Sequence, residues 1–137
     1  TRNRAATIHR MRDRLRHHFE RERSAFGYAW NGLRGALRQE THLRFHAVAT
    51  VVVLAVGAAL PLSRTDWALL VVAIGAVWCA ELVNTAIERL TDLVSPDPHP
   101  LAGQAKDVAA AAVLVTALAA AVVGLLVLGP PLWQSIS

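Results

Sequence analysis

Glu81, Asn84, Glu88 and Asp92 are spaced for chemistry. At about 100° of rotation per residue, an α-helix puts Asn84, Glu88 and Asp92 at about 300°, 340° and 20° from Glu81, so all four share one narrow stripe. Leu82, Val83, Ala86, Ile87 and Leu90 fill the other sides. Glu81 directly follows fourteen uncharged, mostly apolar residues, 67–80. An ionisable group in that setting is costly and by default marks function. The competing reading is a polar contact between helices or, for Asp92, a helix end emerging into water. Carboxylate and amide oxygens with no histidine among them suit magnesium rather than zinc or another transition metal. Magnesium is commonly held by one or two carboxylates plus the phosphates of a substrate. A carboxylate beside an alcohol can take its proton. Metal-bound phosphates with a carboxylate base are the equipment of phosphoryl transfer to a hydroxyl.

Three more residues fall at the same depth of the membrane. Glu40 precedes the first apolar run and is positioned to supply a second metal carboxylate. Lys106 is the single lysine of a chain that otherwise uses arginine, and it stands beside the expected start of the third apolar helix. The free N–H groups and dipole of a helix start favour an anion there, so a phosphate contact is one reading. A lysine snorkelling to the interface is the other. Asp107 reads equally as an N-cap or as a nucleotide contact. There is no GxxxxGK[ST] loop and no HRD or DFG element, so a nucleotide site must be built differently from those of soluble kinases.

The elements that must position these groups are membrane helices. The 137 residues make room for one domain, 54% of them apolar but only 6% aromatic. Charge is absent from residues 47–62, 67–80 and 108–137. With flanking residues each run approaches or exceeds the roughly 20 residues that cross a bilayer, which predicts spans at about 42–62, 66–94 and 107–128. Pro61 ends the first, and Ser63, Arg64, Thr65 and Asp66 form a short turn able to cap the second. The prolines at 96, 98 and 100 exclude a helix through the next connection. Phe26, Trp30, Leu33 and Leu37 recur on one helical face and predict an interfacial amphipathic helix leading into the first span.

Eleven of the fourteen basic residues lie between Arg2 and Arg44. Beside a membrane helix this reads as the positive-inside signal rather than a nucleic-acid-binding tail, and it places the N-terminus in the cytoplasm. The turn at 63–66 then faces out and the connection at 95–106 faces in. Residues 1–23 are an Arg-rich extension, with Ile8, Met11 and Leu15 at helical spacing; they read either as a basic helix on anionic lipid or as a solvated segment. The charged N-terminal stretch lacks the apolar core of a signal peptide. Cys79, the single cysteine, excludes an internal disulfide framework and is expected to pack within the second span.

These segments resemble a known family. Residues 26–40 read FGYAWNGLRGALRQE, 81–92 read ELVNTAIERLTD and 103–112 read GQAKDVAAAA. Together, over about 24–128, they are similar to the prokaryotic diacylglycerol kinases, a family that includes undecaprenol kinases. The stretches 40–46 and 99–107 (HPLAGQAKD) look more like the undecaprenol branch of Gram-positive bacteria. The resemblance implies an all-α membrane homotrimer, with an interfacial helix and three spans per subunit and active sites shared between neighbours. It implies Glu81 as the general base on the lipid hydroxyl, Glu40 and Glu88 as magnesium ligands on the ATP phosphates, and Asn84 as a residue that orders the site. Lys106 would touch phosphate with Asp107 close by, and Tyr28, Asp92, His99 and Gly103 match positions near the nucleotide. Residues 24–137 would then be the kinase domain, in the bacterial inner membrane. His42 stands where the undecaprenol branch is expected to carry asparagine, and Pro98 where the diacylglycerol branch tends to carry an aromatic residue, which bears on lipid choice and adenine packing. The implied reaction is ATP- and magnesium-dependent phosphorylation of a lipid alcohol, undecaprenol ahead of diacylglycerol. The competing functions are a catalytically silent membrane assembly and a cation-coupled transporter.

Overall fold

The structure, a computed structural model, describes residues 24–136, all of them in four helices and short connections. The expected basic extension at 1–23 lies outside the described residues. Two compact units divide the chain, Thr1–Gly35 and Ala36–Ser137. Residues 24–39 are helical (α1). In the first unit Phe26 and Trp30 are exposed, and the Arg34 guanidinium stands 5.9 Å from the Trp30 ring centre.

The second unit holds α2 (Thr41–Ala58), α3 (Arg64–Val94) and α4 (Pro100–Ile136). All three are long and apolar enough to cross a membrane. At 1.5 Å per residue the 31 residues of α3 extend about 46 Å, more than the roughly 30 Å of hydrocarbon. One end of α3 must therefore stand in the interface. Inside a single chain only 11%, 22% and 6% of the three spans is buried, so most of their apolar surface is left for lipid or for other chains. Leu43 and Leu70 are the large side chains that are fully enclosed.

α2 and α3 form a tight hairpin, for reasons legible in the residues. α2 stops at Ala58, shortly before Pro61. Ser63 and Asp66 then make a reciprocal capping box: Ser63 Oγ accepts from the Asp66 amide at 3.2 Å, and the Ser63 amide donates to Asp66 Oδ2 at 2.9 Å. Gly57 lets the chains approach, since a Cβ there would lie 3.2 Å from the Trp67 ring and 3.3 Å from Leu62. On α3 the buried residues Leu70, Val77, Glu81 and Thr85 recur at helical spacing and define the inward face.

Some expectations are corrected. α4 begins at Pro100, not near 107, because proline at the first helical position forfeits no hydrogen bond and has its φ preset for a helix. His99 supports that start, its Nδ1 accepting from the Leu101 amide at 3.2 Å. Lys106 and Asp107 thus lie in the second turn of α4, and Asp107 is not an N-cap. At its far end α4 runs past 128 and through Pro130 and Pro131 to Ile136; each ring removes one donor but keeps a helical φ, which membrane helices tolerate. Cys79 is also exposed on α3 rather than packed inside the chain.

Candidate active site

Glu81 is the acidic residue buried among the described ones, 5% exposed on the inward face of α3. Its Oε1 lies 2.9 Å from His46 Nε2 on α2, with the two side chains 6% and 19% exposed. One turn further along α3, Asn84 Nδ2 donates to Glu88 Oε1 at 3.0 Å. The other polar atom of Asn84, Oδ1, is buried and has no hydrogen-bond partner among the described residues. A buried acceptor left unpaired costs about 1–3 kcal/mol, so this atom is poised for a donor from outside the single chain.

Glu40 connects to the same stretch of α3. It precedes α2 without capping it. Instead its Oε1 accepts from Arg89 Nη2 at 3.0 Å, and the same nitrogen donates to Gln39 Oε1 at 2.9 Å. The residue adjacent to Glu88 in sequence thereby ties Glu40 to the turn of α3 that carries Glu88. Still nearer the end of α3, Lys106 Nζ donates to Asp92 Oδ1 at 2.5 Å. Asp92, His99, Gly103 and Lys106 line one cleft of about 560 Å³, walled by the prolines of the 95–99 connection. Asp107 is exposed and is not among the residues lining that cleft. Tyr28 belongs to the first unit, where it is 75% exposed.

Two residues of this site escape a reading of the sequence alone, His46 and Arg89. A signal for the first does exist. Glu81 lies eighteen residues after Ser63 and His46 seventeen before it, so a tight antiparallel hairpin must bring them level. Arg89 is concealed by its place on the flank of the stripe.

Among the described residues no three His, Cys, Asp or Glu side chains gather as a metal cluster. That suits a magnesium ion that takes most of its ligands from phosphate and water, for which one or two protein carboxylates suffice. Glu40 and Glu88 are hard oxygen donors of the right kind, and the unpaired Asn84 Oδ1 adds an oxygen one turn away. The donor set fits magnesium.

Three helices able to cross a membrane, a carboxylate buried between two of them and an adjoining cleft define the class: a helical membrane protein with polar groups set inside its spans. The chain belongs to the prokaryotic diacylglycerol kinase family, which matches residues 27–128. It is 41% identical over 108 residues to the undecaprenol kinase of Bacillus subtilis, covering 79% of this chain and 88% of that one. It is 34% identical over 104 residues to the diacylglycerol kinase of Escherichia coli, covering 76% and 85% of the two chains. With the diacylglycerol kinase of Synechocystis the identity is 40% over 109 residues, covering 79% of this chain and 62% of the relative. The chain is thus a lipid kinase, a phosphotransferase.

Proposed function

We propose that this enzyme transfers the γ-phosphoryl group of ATP to the hydroxyl of undecaprenol, with diacylglycerol as the second-ranked acceptor. The observation that carries the reading is Glu81, a carboxylate kept 5% exposed within a membrane span. An ionisable group is costly in such a place and by default marks function, and in a lipid kinase the function it suits is meeting a hydroxyl that arrives from the bilayer. The ranking of lipids rests on likeness to the Bacillus subtilis undecaprenol kinase, which extends over 88% of that protein at 41% identity.

In this reading Glu81 takes the hydroxyl proton as the lipid oxygen bonds to the γ-phosphorus, and ADP departs. Glu88 and Glu40 would hold magnesium, which when bound neutralises charge on the phosphates. Asn84 orients Glu88. Lys106 binds phosphate, steadied by Asp92, and the cleft of His99 and Gly103 takes the nucleotide, with Asp107 the next residue of α4 after Lys106. The kinase domain is residues 24–137, preceded by the basic extension 1–23, with α1 lying in the interface. The N-terminal concentration of arginine supports a cytoplasmic site in the bacterial inner membrane, on the side where ATP is found. The homotrimer with shared sites is what the resemblance to the family implies, and the sparse burial of the spans leaves surface for it.

The test is phosphorylation of undecaprenol and of diacylglycerol in parallel by the purified protein in lipid, with labelled ATP and magnesium. Transfer to at least one lipid is expected, with the specificity constant larger for undecaprenol. Glu81→Gln is expected to lower kcat by about 10²–10⁴ while folding normally. Well-folded protein that phosphorylates neither lipid would sink the proposal, and full activity in Glu81→Gln would sink the assignment of the base.

A further inference from the structure

Glu81 has two carboxylate oxygens, and the structure accounts for one of them. His46 Nε2 stands 2.9 Å from Oε1. A bare nitrogen lone pair facing a carboxylate oxygen at that distance would repel it, so the stable state of the contact keeps a proton on Nε2. The backbone that carries the imidazole is tied to α3: the His46 carbonyl accepts from Thr50 Oγ1 at 2.7 Å, and Thr50 Oγ1 accepts from the Trp78 indole N–H at 3.0 Å. Trp78 lies one turn from Glu81 on the same helix, so α3 and α2 are also joined one turn from the histidine, on the side nearer the hairpin turn. The Phe45 ring meets the imidazole edge-on, with centroids 5.6 Å apart at 80°. The same histidine stands at the end of an apolar groove of about 620 Å³ between α2, α3 and α4, lined further by Thr50, Ile74, Val77, Ala117 and Ala121.

We infer that His46 is a positioning residue for phosphoryl transfer: it holds Oε1 of Glu81 and leaves Oε2 as the atom that accepts the lipid hydroxyl proton. This rests on the reading of Glu81 as the base. A base must meet its proton at hydrogen-bond distance and in the right orientation, and a carboxylate free to rotate about its last torsion does so only part of the time. An imidazole fixed on the facing helix removes that freedom without entering the reaction, the role that the orienting third group plays in hydrolase triads. The balance of the step is unchanged: the proton moves from the lipid hydroxyl to Oε2, and His46 neither gains nor loses one.

The experiment compares His46→Ala, His46→Gln and Glu81→Gln, singly and combined, in the lipid phosphorylation assay, after each variant has been shown to melt like the parent. His46→Ala is expected to lower kcat about 10- to 100-fold with KM for ATP unchanged, the pattern of an interaction used in the transition state. His46→Gln keeps an N–H donor on a side chain of similar reach and is expected to recover most of the rate. In the Glu81→Gln background His46→Ala should cost nothing further, because it acts through Glu81. If His46→Ala does not fold, His46→Asn replaces it: the shorter amide cannot reach Oε1 and is expected to fall well below His46→Gln. Undiminished kcat in His46→Ala, failure of His46→Gln to outperform the shorter variants, or an equal further loss in the Glu81→Gln background would each overturn the inference. A fully active Glu81→Gln would instead show that the base itself is misassigned.

Discussion

Replacing Asn84 with leucine should separate stability from activity. In the single chain Asn84 does one favourable and one unfavourable thing. Its Nδ2 donates to Glu88 Oε1 at 3.0 Å, and its Oδ1 is buried without a partner among the described residues. A hydrogen bond to a charged acceptor contributes about 1.5–3 kcal/mol, and an unsatisfied buried acceptor costs about 1–3 kcal/mol. Leucine is close in volume and removes both, so the two changes should cancel to within about 1 kcal/mol. Activity has no such compensation. Glu88 loses the donor that fixes its carboxylate, and the rate should fall about 10- to 100-fold, as when the supporting partner of a metal ligand is lost. Unfolding by heat or detergent, followed through the four tryptophans, gives the stability. Lipid phosphorylation per folded molecule gives the rate. A stability loss above about 2 kcal/mol, with activity tracking the folded fraction, would refute the reasoning and make Asn84 a structural residue.

Lys106→Met should raise KM for ATP at least tenfold, about the value of one charge-assisted contact to phosphate. Asp92→Asn should change it less than about fivefold, because a pair whose carboxylate is 67% exposed is weak; equal effects would put Asp92 in direct contact with the nucleotide. Gly57→Leu should destabilise the α2–α3 hairpin by about 1–3 kcal/mol, since even a Cβ would sit 3.2 Å from the Trp67 ring. Its turnover per folded molecule should be unchanged, and a lowered turnover would show that the hairpin bend reaches the site.

The first two spans, the turn between them and the polar stripe were legible in the sequence, because each depends on neighbours in the chain. Runs without charge announce the helices, Ser63 and Asp66 announce a cap, and a 100° rotation aligns Glu81 with Glu88. The start of α4 was not legible. The prolines at 96, 98 and 100 all read as helix breakers, yet the last is also the residue best suited to begin a helix. That one ambiguity moved Lys106 and Asp107 from a helix terminus into its second turn. His46 and Arg89 were hidden for another reason: their partners lie across a hairpin, and pairing at that distance depends on where the turn falls to within a residue.

Once the hairpin is fixed, its side-chain bridges form a graded series. Nearest the turn, Trp78 joins Thr50, two neutral groups partly buried at 3.0 Å. The next sets Glu81 against His46, with side chains 6% and 19% exposed. The last sets Arg89 against Glu40, at 47% and 29%. The charged Arg89–Glu40 pair is the most exposed of the three, as the cost of desolvating two ions requires. In the proposed function a lipid alcohol would approach from the turn end of this series and a triphosphate from the open end. A carboxylate on the innermost rung would be cut off from the phosphates, and one on the outermost would be too hydrated to meet a hydroxyl still anchored in the bilayer. In the proposed function the middle rung, where Glu81 stands, is therefore the one that serves both substrates.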